Sequence, residues 1–200
     1  MAKRVMDVSL AFLGLVMLSP LLSLVALAIR LDSPGPVFFR QERVGRHGQI
    51  FRIHKFRTMV VDADRKGLLI SVKEDGRVTR AGRWLRRYKL DELPQLIDVL
   101  LGHMSLVGPR PEVPRYVLCY PPEVRKVVLS VRPGITDLAS IEYRQEAEML
   151  TDASDPETEY IQRILPVKLS HYEQYVRTRS FLGDMVIIAR TVRVVFFGKD

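Results

Sequence analysis

VSLAFLGLVMLSPLLSLVALAI, residues Val8 to Ile29, carries no charged residue and holds Ser19-Pro20 near its middle. A chain of 200 residues that opens on such a run is set in or on a membrane. The proline decides how. Inside a helix Pro20 removes one backbone hydrogen bond and its ring crowds the preceding turn, and kinks above roughly 20° collect at such positions. The hydroxyls of Ser19 and Ser23 can bond nearby backbone groups and help a bent segment satisfy itself.

Three readings of the run compete. A straight spanning helix needs about 20 apolar residues, and this run is long enough. A cleaved signal peptide would also open with Lys3 and Arg4, and Ala26-Leu27-Ala28 imitates a cleavage site. A re-entrant helix-break-helix would enter and leave the same face. Lys3 and Arg4 precede the run, and Arg30, Arg40, Arg43 and Arg46 follow it. With both flanks basic, the positive-inside tendency selects no crossing direction and suits a segment with both ends in the cytoplasm. The length of the run and the central Pro20 argue against cleavage. The residues alone leave the spanning and re-entrant forms level.

Residues 1–31 therefore read as an anchor and 32–200 as one compact domain, large enough for a core of its own. The single cysteine, Cys119, forbids an internal disulfide, suits a reducing compartment and reads as a small buried hydrophobe. A net charge of +8 calls for anionic partners: acidic lipid headgroups, a phosphorylated substrate or nucleic acid.

Punctuation sets the order of elements. Asp32-Ser33-Pro34-Gly35-Pro36 is a rigid turn, and 37–43 and 49–56 read as strands joined at Gly45-Arg46-His47-Gly48. A polar helix and loop are expected over 62–75. A basic amphipathic helix follows over 81–88, with Trp84 and Leu85 facing inward or toward the membrane. A helix over 91–101 is stopped by Gly102. Pro109, Pro111 and Pro114 stiffen a loop, and further helices are expected over 122–130, 160–178 and 181–197. The last is apolar almost all round and suits a place beneath the anchor or at the interface. The fold class is α+β, mostly helical, with a short β-hairpin and amphipathic interfacial helices.

Chemistry concentrates in four blocks. In Lys55-Phe56-Arg57-Thr58-Met59, alternation puts Lys55 and Arg57 on one strand face, where two cations can hold a diphosphate. The same pattern suits a solvated strand face. In Leu90-Asp91-Glu92-Leu93-Pro94-Gln95-Leu96, Asp91 is a good N-cap and Pro94 sits in a first turn. Arg80, Arg83, Arg86, Arg87 and Lys89 precede the acids, so a carboxylate there stays ionised and can serve as nucleophile or metal ligand. Adjacent residues on a helix diverge, so Asp91 and Glu92 do not face each other as a glycosidase pair does. In Val107-Gly108-Pro109-Arg110-Pro111-Glu112, prolines on both sides preorganise an arginine that matches phosphate oxygens bidentately. Val131-Arg132-Pro133-Gly134-Ile135-Thr136 repeats the device, with Arg144 soon after. Each block alone is a turn or face with exposed charge; together they favour a polyanion site.

KFRTM at 55–59, LDELPQL at 90–96, MSLVGPRPE at 104–112 and RPGIT at 132–136, behind an N-terminal Ser-Pro anchor, resemble the bacterial sugar transferases, the monotopic phosphoglycosyl transferases. The match covers essentially the whole chain, in order, and its length resembles the minimal catalytic form. The resemblance implies transfer of a phosphosugar from a UDP-sugar to polyprenol (undecaprenyl) phosphate with release of UMP, the first membrane step of glycoconjugate assembly. It implies Asp91 as nucleophile through an aspartyl-phosphosugar intermediate, Glu92 as ligand or orienter of Mg²⁺ beside Asp91, and a re-entrant anchor broken at Ser19-Pro20. It places substrate contacts at Lys55, Arg57, Arg86, Arg110, Glu112, Arg132 and Arg144. The expected location is the cytoplasmic face of a bacterial inner membrane, among anionic lipids and without nucleic acid; a homo-oligomer is compatible with all of this.

Many members follow RPGIT with Gly-Leu-Ala-Gln-Val-Asn-Gly-Arg, whereas this chain reads Asp137-Leu138-Ala139-Ser140-Ile141-Glu142-Tyr143-Arg144. The terminal arginine aligns, the loop before it differs, and the sugar is not named from it. A non-catalytic, basic, membrane-tethered binding protein is the alternative. It explains the anchor and the charge and gives no reason for an acid pair set among cations. A nucleic-acid binder would interleave aromatics with its basic residues, and no such module is present.

Overall fold

The structure, a computed structural model, describes residues 2–61, 63, 75–143, 149–150 and 155–198, with the side chains of residues 196 and 197 excluded. The expected helix over 62–75 falls almost entirely outside these residues. The described chain is mostly helical with two small two-stranded sheets.

The first helix, α1, runs from Ala2 to Asp32 with Pro20 inside it. It is the one described helix long and apolar enough to cross a membrane. The helix does not stop at Pro20. The carbonyl that proline leaves without an i+4 donor is that of Val16, and the Ser19 hydroxyl donates to it at 2.8 Å. One stripe of α1 faces protein. Asp7, Ala11, Val25 and Ile29 are buried, and Gly14 approaches Leu96 so closely that a Cβ there would sit 3.3 Å from its Cδ1. Those positions are 4, 3, 11 and 4 residues apart, each close to a whole number of turns, so they share one helical face. The other faces, with Phe12, Leu13, Val16, Met17, Leu24 and Leu27, are exposed.

Both ends of α1 are fastened to the same body. Near the start, Asp7 accepts from Ser105 Oγ at 2.8 Å and from the Leu106 N–H at 3.2 Å. At the finish, the guanidinium of Arg57 donates to the carbonyls of Ser33 (2.7 Å), Pro34 (2.5 Å) and Ile29 (3.4 Å).

Strands β1 (Phe38–Val44) and β2 (Ile50–Phe56) form the expected antiparallel hairpin, in register from Phe38 opposite Phe56 to Val44 opposite Ile50. Its turn needs positive φ at His47 (58°) and Gly48 (79°). Helix α2 (Arg80–Arg87) is capped by Thr79, whose hydroxyl accepts from the Gly82 N–H. Leu85 faces inward and is buried, whereas Trp84 is 51% exposed. Helix α3 (Gln95–Leu100) leads into β3 (Ser105–Val107), which pairs in parallel with β4 (Gly134–Thr136). This second sheet is absent from the sequence expectations. It is three residues per strand, too short to show alternation. Gly108 and Gly134 lie back to back beside it: a Cβ on Gly134 would fall 2.1 Å from the Gly108 nitrogen.

The helices that follow are α4 (Pro114–Val117), α5 (Pro122–Val128), α6 (Leu138–Glu142), α7 (Pro156–Glu159), α8 (Leu165–Thr178) and α9 (Phe181–Phe197). A wider π-type turn, Tyr160–Ile164, joins α7 to α8. Val113, Tyr120, Val128, Leu165, Leu169 and Tyr172 centre one core; Ala11, Phe51, Ile53, Val99 and Met104 centre another against α1. Cys119 is exposed rather than buried, on the turn after α4.

Gly82 packs α2 against the backbone after β2: a Cβ there would lie 2.0 Å from the Thr58 carbonyl oxygen. Alanine gains helix propensity of roughly 1 kcal/mol. The overlap with backbone costs more, about 3 kcal/mol. Gly82→Ala is therefore expected to be net destabilising by about 2 kcal/mol and to lower the melting temperature by roughly 4–8 °C. An unchanged or raised melting temperature by differential scanning fluorimetry in detergent would show that α2 does not press on Thr58.

Candidate active site

The acid pair does not start a helix as the sequence suggests. Lys89 adopts left-handed backbone (φ 56°), and Leu90–Glu92 form a 3-10 turn before α3 begins at Gln95. Pro94 supplies the reason. It has no N–H to reach the Leu90 carbonyl, which is taken by the Leu93 N–H at 3.2 Å instead. The Asp91 side chain makes no capping bond. It is turned inward, 9% exposed, and its Oδ1 has no hydrogen-bond partner among the described residues.

Glu92 is the opposite case, fully engaged. Lys55 Nζ donates to its Oε1 at 2.9 Å, Arg110 Nη1 donates to its Oε2 at 3.0 Å, and Arg110 Nη2 closes a second bond to Oε1. The strand end of the first block, the acid turn of the second and the proline-flanked arginine of the third thus meet on one carboxylate. Burial pushes Glu92 upward, but the charges of Arg110 and Lys55 and the arginine's hydrogen bonds together hold it well below the usual carboxylate range. In return the Glu92 charge raises Arg110. Lys55 is lowered by its own burial, with Glu92 opposing.

Asp91 moves the other way. Burial raises its pKa first, the neighbouring Glu92 charge adds to that, and Lys55, Lys89 and Arg86 oppose. In the direction of the shift desolvation outweighs the cations, so they do not depress Asp91 as they depress Glu92. Arg86 is half-buried close by, its Nε donating to Thr58 Oγ1 at 2.9 Å.

Other expected contacts lie elsewhere. Arg57 is 5% exposed and spent on the carbonyls at the end of α1. Glu112 braces the core, accepting from the Tyr160 hydroxyl at 2.6 Å with Arg43 at 3.7 Å. Arg132 donates through Nε to the Gly102 carbonyl at 2.8 Å and lines a separate cavity. Arg144 lies outside the described residues. One polar residue was missed. Gln95 is 1% exposed and its Nε2 has no partner among the described residues. Its place four residues after Asp91, one turn on, was the available signal.

The site thus joins a glutamate held by two cations to an aspartate whose Oδ1 has no partner among the described residues. The family model for bacterial sugar transferases matches residues 1–198, and the chain belongs to that family. Over 98% of its length it is 37% identical to the UDP-N-acetylgalactosamine-undecaprenyl-phosphate N-acetylgalactosaminephosphotransferase of Aeromonas hydrophila, covering 44% of that protein. The UDP-glucose:undecaprenyl-phosphate glucose-1-phosphate transferases of Escherichia coli K12 and Caulobacter vibrioides are each 40% identical, over 98% and 95% of this chain and 40% and 68% of their own. The chain spans less than half the length of the first and second of these relatives.

Glu92→Gln would leave two buried cations facing a neutral amide. Breaking a buried pair on one side typically costs 3–5 kcal/mol, and with the side chain of Glu92 still 14% exposed the expected loss is about 3 kcal/mol. Lys55→Met in the same background should restore part of it, as a double-mutant cycle on thermal or denaturant unfolding would record. Additive losses would mean that Lys55 and Glu92 are not energetically coupled.

Proposed function

We propose that this chain transfers a phosphosugar from a UDP-sugar to undecaprenyl phosphate, releasing UMP, at the cytoplasmic face of a bacterial inner membrane. The observation that carries the reading is Asp91: a buried carboxylate with a free Oδ1, raised by burial and so more basic, set beside cations that suit a diphosphate. Asp91 Oδ1 attacks the β-phosphorus of the UDP-sugar. The bond from that phosphorus to the bridging oxygen breaks and UMP leaves with the electron pair, giving a phosphosugar on Asp91. A phosphate oxygen of undecaprenyl phosphate then attacks the same phosphorus. The Asp91–phosphorus bond breaks, the carboxylate is restored, and undecaprenyl-diphosphate-sugar departs.

Lys55 and Arg110 bind the diphosphate in this reading. Arg110 offers a planar fork and Lys55 a point charge, both already positioned by Glu92. Arg86 faces Asp91 and offsets its charge during approach. A divalent cation fits beside Asp91 and Glu92 because Asp91 Oδ1 is an unpartnered acceptor there. Among the described residues no cluster of three or more His, Cys, Asp or Glu forms a ready metal cage. Mg²⁺ would therefore take its remaining ligands from substrate oxygens and water, its usual habit, and when bound would neutralise the diphosphate.

The anchor is re-entrant in this reading. Its two ends are fastened to one body, at Asp7 and through Arg57, which supports both ends facing the same side of the bilayer. Pro20 supplies the flexible point. Undecaprenyl phosphate cannot leave the bilayer and the UDP-sugar cannot enter it, so the reaction needs a site at the boundary.

The discriminating experiment measures UMP release from a panel of UDP-sugars, with and without undecaprenyl phosphate. Without acceptor the wild type should give a single burst of UMP and gain one phosphosugar in mass on the Asp91 peptide, with ping-pong kinetics. Asp91→Asn should abolish both. Arg110→Lys keeps charge and loses the fork, so kcat/KM should fall by about one to two orders of magnitude. Ternary-complex kinetics without an adduct would leave Asp91 as a metal ligand and make the lipid phosphate the direct attacker. No UMP from any donor would favour a non-catalytic tethered protein.

The topology is checked separately. Cysteines placed at Ala2 and Lys199, in a Cys119→Ser background, should both resist a membrane-impermeant maleimide in whole cells. Labelling of either from outside would overturn the re-entrant reading, and Pro20→Leu should shift the segment toward spanning.

A further inference from the structure

The motif arginine that does not join the acid pair, Arg132, opens onto a second site. It lines a cavity of about 390 Å³ between the start of α1, β3, the turn at Ser130 and the start of α9. None of Lys55, Asp91, Glu92 or Arg110 borders it. We propose that this cavity binds a phosphate group, a chemistry shared by phospholipid headgroups and soluble phosphate, and that the occupant is the headgroup of an anionic phospholipid.

The lining is cationic and its acids are already satisfied. Asp7 accepts from Ser105 and Leu106, and Asp184 accepts from Lys3 Nζ and from the Tyr175 hydroxyl at 2.9 Å. Against these two carboxylates stand Lys3, Arg4, Arg46, Arg132 and Arg179. Two of the arginines are built for presentation. Arg132 is held by its Nε on the Gly102 carbonyl at 2.8 Å, and Arg46 by its Nε on the Ser130 carbonyl at 2.9 Å. In both, the terminal guanidinium nitrogens make no hydrogen bond within the described residues, and they form the edge that matches a phosphate bidentately. Anchoring through Nε removes part of the ordering cost that a mobile arginine meets on binding.

The surroundings select a lipid. Lys3 and Arg4 stand just before the apolar run of α1, where the interface lies. An exposed apolar side chain, Phe181, lines the cavity, and the exposed Val5 and Leu182 follow lining residues in the chain. A soluble anion has no use for them, whereas acyl chains do.

The test uses the full chain in a neutral detergent and reads binding by native mass spectrometry, independent of turnover. Dioctanoyl phosphatidylglycerol should bind saturably. Dioctanoyl phosphatidylcholine should bind at least tenfold more weakly, and inorganic phosphate should fail to displace the phosphatidylglycerol at equal concentration. Arg132→Gln should raise the phosphatidylglycerol Kd at least tenfold. Because that change also removes a bond to Gly102, Arg179→Gln, at an exposed lining residue, provides a second variant; it should also weaken binding, with an unaltered melting temperature. Arg110→Gln, in the acid-pair site, should leave this binding unchanged. Displacement by equimolar phosphate would overturn the lipid assignment. Equal binding of the two lipids, or wild-type affinity in both cavity variants, would overturn the site.

Discussion

The constraint on which this structure turns is that α1 is apolar on every face yet finds protein on only one. Asp7, Ala11, Gly14, Val25 and Ile29 meet β2, α3 and their neighbours, and the remaining faces are bare. Bare apolar surface on that scale marks an interaction face, and lipid is the partner in the proposed reading. The elements that receive the buried stripe also border the candidate site: α3 follows the acid turn, and Lys55 is the penultimate residue of β2. In the proposed reading, membrane and chemistry are therefore joined through a single helical face.

The two glycines beside the parallel pair fix a second part of the design. With Gly108 and Gly134 in backbone contact, the proline-flanked loops of the third and fourth blocks leave from one crossing. Their arginines then separate, Arg110 to Glu92 and Arg132 to Gly102. One crossing thus feeds two cationic sites, one around a carboxylate and one around a cavity.

The sequence made the hairpin, the late helices and the grouping of Lys55, Asp91, Glu92 and Arg110 legible, because those features rest on local signals: alternation, turn residues and motif order. It did not reveal that Glu92 binds both cations while Asp91 binds none, since that depends on how Pro94 reshapes the turn before α3. That the Arg57 guanidinium reaches backbone carbonyls and Arg132 reaches one through Nε was not legible, because an arginine beside a motif looks the same in sequence whichever acceptor it meets. The protein-facing stripe of α1 was invisible, because a run apolar all round carries no periodic contrast. The β3–β4 pair was hidden by its shortness.

Glu92 gives the empty site a tethered counter-ion. In the proposed reading, two partly buried cations without one would collect chloride, free phosphate or any carboxylate metabolite, all far more abundant than a rare nucleotide. A visiting monoanion must displace a carboxylate that is covalently present at high effective concentration, and it brings no more charge than the group it replaces. A diphosphate brings more charge and more oxygens, so it can share Lys55 and Arg110 with Glu92 without evicting it. If the proposed function holds, discrimination against the commonest anions in the cell is thereby set before any sugar is recognised, by a residue that need never touch the sugar.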